Sequence, residues 1–217
     1  MILNIYKPIG WTSFDVVKKV RNITHEKKVG HAGSLDPFAE GVLVIGTGKD
    51  TKRLAAITAS SKSYEAVLKL GCATATHDPT GLVTEKAAIP VLSAKRIEGI
   101  LQSFQGEQNQ IPPMYSAKKV AGQRLYKLAR KNITVERKPD QIIIHTIELL
   151  NWTPDIIAFR VTCSKGTYIR VLGTDIATRL GTVGHLTKLV RTQVGKYTLE
   201  TTLTIEQLMA KWKSSAA

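Results

Sequence analysis

The chain has 217 residues, enough to bury a sizeable core, and its 43% hydrophobic and 22% charged residues are ordinary for a globular protein. Thirty-one Lys and Arg against 17 Asp and Glu leave a net charge of +14, which points to a polyanionic partner, most often nucleic acid. No apolar run approaches the ~18–20 residues of a membrane span, the N-terminus lacks signal-peptide character, and Cys72 and Cys163 form neither a disulfide framework nor a CxxC zinc motif. A cytoplasmic protein with no membrane association is expected.

The pattern predicts a first strand over Ile2–Tyr6, stopped by Pro8 and Gly10. Ser13 is placed as the cap of a helix carrying Phe14, Val17, Val20 and Arg21. A glycine-rich loop follows from Gly30, then a short buried strand over Gly41–Gly46 and a helix over Thr51–Ala59. Ser63–Cys72 reads as a strand and Thr76–Gly81 as a turn. Ser93 caps a helix with Ile97, Ile100, Leu101 and Phe104 on one stripe. Gln123–Lys131 reads as a short basic helix, and Gln141–Trp152 with Ile156–Ser164 as an antiparallel pair. Thr167–Leu180 is helical, Leu186–Val194 has mixed periodicity and is left unassigned, and Thr204 caps a last helix ending near Trp212. The expected class is α+β, with a mixed, largely antiparallel central sheet flanked by helices and loops, as a single domain over 1–217.

Charge is uneven along the chain. Residues 111–140 hold eight basic and two acidic side chains, a net +6, whereas residues 61–110 are neutral. Lys118, Lys119, Arg124 and Arg130 interleave with Tyr115 and Tyr126, a pattern that suits RNA, where cations meet phosphates and rings stack on bases. A solvated basic helix face has the same pattern.

The densest unusual segment is Gly30-His-Ala-Gly-Ser-Leu-Asp-Pro-Phe-Ala-Glu-Gly-Val-Leu43. Its glycines permit positive φ or close backbone approach. Pro37 biases Asp36 toward an extended conformation that can project its carboxylate. An ordinary Asp-Pro turn fits as well. His31 stands as an acid–base partner of Asp36 or as a wedge against a base. No GxSxG elbow, phosphate-binding loop, dinucleotide fingerprint or histidine ligand spacing is present, so no metal or nucleotide cofactor is expected. In Cys163-Ser-Lys-Gly-Thr-Tyr-Ile-Arg170, the arginine falls in the first turn of a helix, where a cation is disfavoured unless an anion faces it; a surface arginine is the plain alternative. Alternation along Tyr64, Ala66, Leu68 and Leu70 puts Tyr64 on an apolar face, by default as a core residue.

These segments occur in a fixed order: Lys7-Pro-x-Gly-Trp-Thr-Ser13, GHAGSLDPFAEGVL, Lys62-Ser-Tyr64, Gln110-Ile-Pro-Pro-Met-Tyr-Ser-Ala-Lys118, Leu125-Tyr-Lys-Leu-Ala-Arg130 and CSKGTYIR. The series, spanning roughly residues 2–200, resembles the TruB-type tRNA pseudouridine synthases, which isomerise uridine 55 in the T-loop of tRNA. The GHxGxLDPxAxGVL block is the most specific of these motifs. The resemblance implies that Asp36 is the catalytic aspartate, Tyr64 the tyrosine that stacks on the target base and handles a proton at its carbon 5, and Arg170 the arginine that ion-pairs with that aspartate. It implies that Tyr168 and Leu189 line the site, that His31 packs near the flipped base, and that Lys7 and Pro8 support the floor. The stretch at about 106–140, with Lys118, Lys119, Arg124 and Arg130, corresponds to the family's RNA-gripping insertion. The T-arm of tRNA is the implied partner; no cofactor and no protein partner are required, and a monomer is expected.

Some positions depart from the family pattern. Ala32 and Ser34 stand where threonines are common, Phe38 where leucine is common, and Glu40 where a small or polar residue is common. The family's C-terminal PUA module is expected to be absent. Two other readings compete with the synthase: a tRNA-binding folding chaperone with secondary or lost catalysis, and a guide-RNA-dependent rRNA pseudouridine synthase.

Overall fold

The computed structural model describes residues 1–214. The chain opens with β1 (Ile2–Lys7), α1 (Ser13–Thr24), β2 (Val29–His31), β3 (Glu40–Thr47), a 3₁₀ segment over Gly48–Arg53, α2 (Leu54–Ala59) and β4 (Lys62–Leu70). It continues through β5 (Cys72–Thr74), β6 (Val83–Lys86), α3 (Ala94–Gln102), β7 (Gly106–Gln110), β8 (Lys119–Val120), β9 (Gln123–Arg124) and α4 (Leu125–Ala129). The last part holds β10 (Asp140–Trp152), β11 (Ile156–Cys163), α5 (Ile169–Leu180), β12 (Gly184–Val194), β13 (Tyr197–Thr198) and α6 (Ile205–Ser214). No helix among the described residues is long and apolar enough to cross a membrane. The class is the expected one, a mixed α and β protein with mostly antiparallel strand pairing.

The described residues fall into two compact units, Met1–Tyr64 with Leu189 onward, and Glu65–Lys188; β4 and β12 carry the chain from one to the other. In the first unit β3 pairs antiparallel with β1, from Ile2↔Gly46 to Lys7↔Gly41, and antiparallel with β2. It pairs parallel with β12 at Val190↔Glu40 and Arg191↔Gly41. Ile5, Leu43 and Ile45 pack with Val16, Val17 and Val20 of α1 and Ile205 and Leu208 of α6 on one side. Val42, Val44, Ala32, Leu54 and Val194 form a second cluster. β3 is therefore buried on both faces, which is why it reads as a continuous apolar run.

In the second unit β10 is flanked by β11 and β7, both antiparallel. Buried Ile97 and Leu101 lie on α3, which lies against β10 and α5. The remaining buried face of α5 includes Ile169, Leu172, Ile176, Ala177 and Leu180.

Several elements differ from the sequence reading. The cap of α1 is Thr12, not Ser13: Thr12 Oγ1 accepts from Asp15 N at 3.1 Å, and the Asp15 carboxylate accepts from Thr12 N at 2.8 Å, a complete capping box. Ser13 is released to turn inward. Phe14 is 62% exposed, because Val16 takes its place on the buried stripe with Val17, Val20 and Thr24. The expected strand over Ser63–Cys72 breaks at Gly71, whose φ is +79°. The unassigned Leu186–Val194 is part of β12, which the two burial environments along it had masked. The expected basic helix shortens to Leu125–Ala129 because the two-residue strands β8 and β9 pair first.

One glycine fixes the geometry that the rest of the first unit depends on. Gly41 has φ +108°, and a Cβ there would sit 2.4 Å from the backbone oxygen of Arg191 on the adjoining strand. Neither backbone can yield without breaking the pairing of β3 with β12. Gly41→Ala is expected to lower the unfolding free energy by about 3 kcal/mol or more, read by urea denaturation.

Candidate functional site

The loop between β2 and β3 carries Asp36, and its backbone is fixed at several points within the first unit. Ala32 N donates to Val44 O at 2.9 Å, and Ala39 N to Asp36 O at 3.1 Å, closing a turn around Pro37 and Phe38. Gly10 N donates to Pro37 O at 2.8 Å. The inward-turned Ser13 hydroxyl accepts from Leu35 N at 2.8 Å and donates to Leu35 O at 3.2 Å, serving the main chain beside Asp36 as a neighbouring strand would. Asp36 itself is half-buried and Pro37 exposed, so the carboxylate is held at a boundary between protein and solvent.

Two cations lie beneath this loop. Lys7 is 0% exposed, and its ammonium donates to the carbonyls of Pro8 at 2.9 Å and Trp11 at 2.7 Å. Burial pushes its pKa down to about 8, with the Arg191 charge acting in the same direction and the carboxylates of Asp36 and Glu40 opposing it. Lys7 thus sits under the floor, tied to backbone, with no exposed surface to offer a ligand. The second cation, Arg191, was not singled out in the sequence; its strand carries no clear period, and a buried arginine leaves no pattern there.

Glu40 is half-buried and accepts a hydrogen bond from the Tyr6 hydroxyl. Burial, reinforced by the hydrogen bond to Glu40 and its charge, raises the tyrosine to about 12. Tyr64 on β4 and Leu189 on β12 are buried, and His31 on β2 is half-buried. The alternation predicted for β4 is observed, with Tyr64, Ala66, Leu68 and Leu70 all buried.

The second unit holds the other half of the candidate residues. Arg170 is the second residue of α5 and is 3% exposed, so it is no surface arginine. Its guanidinium donates to Thr76 O at 2.7 Å and Tyr115 O at 2.8 Å, and lies 3.7 Å from the carboxylate of buried Asp78. Asp78 Oδ1 accepts from Thr80 N at 2.9 Å and from the hydroxyls of Thr76 and Thr80. The segment read only as a turn therefore builds a fixed anion behind Arg170. His77, with φ +59°, places Nδ1 2.8 Å from the Thr174 hydroxyl. Burial, and then the Arg170 charge, hold its pKa below the ordinary value, which favours the neutral ring.

Tyr168, the residue before α5, is half-buried. Its backbone is gripped by the side chain of buried Gln110: Gln110 Nε2 donates to Tyr168 O at 3.1 Å, and Tyr168 N donates to Gln110 Oε1 at 2.8 Å. Gln110 was quoted in the motif series without a role, and Asp78 only as part of a turn.

The basic stretch is not uniformly available. Lys118 spends its charge on Asp140, with both carboxylate oxygens 2.6 Å away. Lys119 and Arg124 are exposed and face each other across the β8–β9 pair. Arg130 is exposed and lies 5.6 Å from the Tyr126 ring centroid. Among the described residues, no group of three or more His, Cys, Asp or Glu could hold a metal ion.

Comparison with known proteins places this arrangement in a family. Residues 21–169 match the model of the TruB family pseudouridylate synthase N-terminal domain, and residues 170–217 the tRNA pseudouridylate synthase B C-terminal domain. Proteins named tRNA pseudouridine synthase B from Bacillus licheniformis and Clostridium kluyveri are 46% and 48% identical to it, over 215 and 207 residues. Each alignment covers 95% of this chain, and 69% and 71% of the respective relative. Among solved structures, a Cbf5–Nop10–Gar1 complex matches with a TM-score of 0.78 at 28% identity. An H/ACA RNP bound to a substrate RNA containing 2′-deoxyuridine matches with 0.74 at 26%. Both cover 100% of this chain, which spans 56% and 55% of the length of the matched chains.

The depressed Lys7 gives a measurable pH signature. Between about pH 8 and the ordinary lysine value the unfolded chain keeps a proton that the folded chain has released, so stability gained at this site rises with pH. Below pH 8 both states are protonated and the burial cost is present in full. Relative to Lys7→Met, the wild type is expected to gain on the order of 1–3 kcal/mol between pH 7.5 and 9.5, read by urea unfolding at each pH.

Proposed function

The chain belongs to the TruB family of pseudouridylate synthases, and we propose that it isomerises uridine 55 in the T-loop of tRNA to pseudouridine. The observation that carries this reading is the Asp36 loop: a carboxylate at the solvent boundary on a main chain fixed by Ser13, Gly10 and Arg191. The relatives at 46–48% identity are named for tRNA, whereas the solved Cbf5–Nop10–Gar1 complex and H/ACA RNP stand at 28% and 26%, which favours the tRNA reading.

The reaction breaks the bond between N1 of uracil and C1′ of ribose, rotates the base, forms the C5–C1′ bond, releases the proton from C5 to solvent and leaves N1 to take one up. Atoms and electrons balance within the nucleotide, so no oxidant, reductant or group donor enters. A uridine in a folded loop must first leave its stack, at a cost on the order of a few kcal/mol. Cationic contacts to the T-arm offset that cost; Lys119, Arg124 and Arg130 are the exposed candidates, while the Lys118 charge is paired with Asp140.

Asp36 is assigned as the group that promotes glycosidic cleavage. As nucleophile or as base it acts ionised. Tyr64 is assigned to the face of the target base and to the proton at C5. Its burial supports stacking in a water-poor site. Arg170 is assigned as counter-charge of the aspartate and Tyr168 as a wall of the site, with His31 and Leu189 against the flipped base. Lys7 is assigned beneath the loop, as its burial requires.

Release of tritium from tRNA transcript labelled at C5 of uridine tests the assignment. The wild type is expected to release it, and Asp36→Asn to lose on the order of 10³-fold or more in turnover while keeping tRNA affinity within about threefold. Turnover retained in Asp36→Asn would remove Asp36 from the chemistry. Tight binding with no release by the wild type would favour the chaperone reading.

A further inference from the structure

Arg191 is 1% exposed, and its guanidinium reaches two segments of the first unit at once. Nε donates to Val42 O on β3 at 2.7 Å. The two terminal nitrogens donate to Ser34 O at 3.1 Å and Gly33 O at 3.2 Å. Among the described residues it forms no ion pair, so the charge is carried by carbonyl dipoles alone. Burying a cation without a carboxylate is costly, and a neutral donor would serve a purely structural bond. What the arginine adds is its planar fork, which grips carbonyls in a fixed mutual geometry.

The gripped carbonyls lie two and three residues before Asp36, in a stretch where Gly33 has φ +96° and the chain has no strand partner to hold it. The backbone of Arg191 is itself fixed, by pairing with Gly41 across β12 and β3. The guanidinium therefore links a rigid parallel strand pair to the loop. The Lys7 ammonium senses both the Arg191 charge and the Asp36 carboxylate, which puts all three in one electrostatic neighbourhood.

We propose that Arg191 is a positioning residue for the isomerisation: its guanidinium clamps the Gly33–Ser34 main chain and thereby sets where the Asp36 carboxylate stands. The proposal rests on Asp36 being the reacting carboxylate, and it extends that reading to a residue that touches neither substrate nor reacting atoms. Displacements of about an ångström at a reacting group cost on the order of 10²-fold in rate. Loss of the clamp should therefore act on turnover and leave tRNA binding, which draws on other surfaces, in place.

The test compares wild type, Arg191→Lys and Arg191→Met by two independent readouts. The first is amide hydrogen exchange at Leu35 and Ala39 in the loop, with Ile5 and Leu43 on the β1–β3 pair as internal controls. The second is steady-state kinetics on tRNA transcript. In both variants the loop amides are expected to exchange about tenfold faster or more while the control amides keep their rates. In both, kcat should fall on the order of 10- to 100-fold with KM within about twofold. Arg191→Lys, which keeps the charge and loses the fork, should fall with Arg191→Met. Loop exchange and kcat both within twofold of wild type would overturn the clamp. Exchange accelerated equally at the control amides would also overturn it, reducing Arg191 to a general stabilising residue. A wild type that turns over no tRNA uridine would defeat the catalytic reading, and the exchange readout would still decide whether Arg191 holds the loop.

Discussion

A buried arginine whose guanidinium grips backbone carbonyl oxygens is the interaction on which the candidate site depends, and each unit contains such an arginine. Arg191 holds Gly33, Ser34 and Val42, and Arg170 holds Thr76 and Tyr115. Loops that carry reacting groups have main-chain polar atoms with no ladder to satisfy them. An arginine solves this where water is excluded, because its five donors are arranged in a rigid plane. The consequence is a loop whose main chain is tied to a neighbouring strand. The requirement for Gly41 comes from the strand pairing that carries Arg191, since only a residue without a Cβ lets β3 lie against the main chain of Arg191.

The chemistry asks for an ionised carboxylate in partly dehydrated surroundings, and the first unit supplies positive charge to match. Lys7 and Arg191 lie buried near Asp36, and burial brings Lys7 close to the pH at which it would lose its proton. In the second unit, Arg170 faces Asp78, which Thr76 and Thr80 hold in place. Gln110 completes that unit's framework by imitating a strand partner for Tyr168.

Much of this was legible from residue order. The Gly30–Leu43 segment stood out because glycine, proline and a carboxylate at that density are unusual in a core element, and a loop does form there over residues 32–39, shorter than the Gly30–Gly41 loop expected because Gly30 and His31 pair with β3 as β2. The alternation around Tyr64 and the cap at Ser93 also read correctly, since each rests on local chemistry. Long-range polar contacts did not show. Thr12-x-x-Asp15 is a local capping-box signature that competes with Ser13 for the cap, whereas nothing in the neighbours tells that Leu35 awaits the Ser13 hydroxyl. Arg191, Gln110 and Asp78 escaped for the same reason: period and propensity report apolar burial, whereas their partners are main-chain atoms distant in sequence. Among the basic residues, Lys118 counted equally with its neighbours until Asp140, 22 residues on, was found against it.

The position of the product tests the account most directly. An unmodified tRNA transcript incubated with the protein alone is treated with a carbodiimide that marks pseudouridine, and reverse transcription then reads the stops. The account predicts one strong protein-dependent stop reporting uridine 55, reached without added metal, nucleotide or guide RNA. No stop at that uridine, or stops spread over other uridines with 55 unmarked, would contradict it.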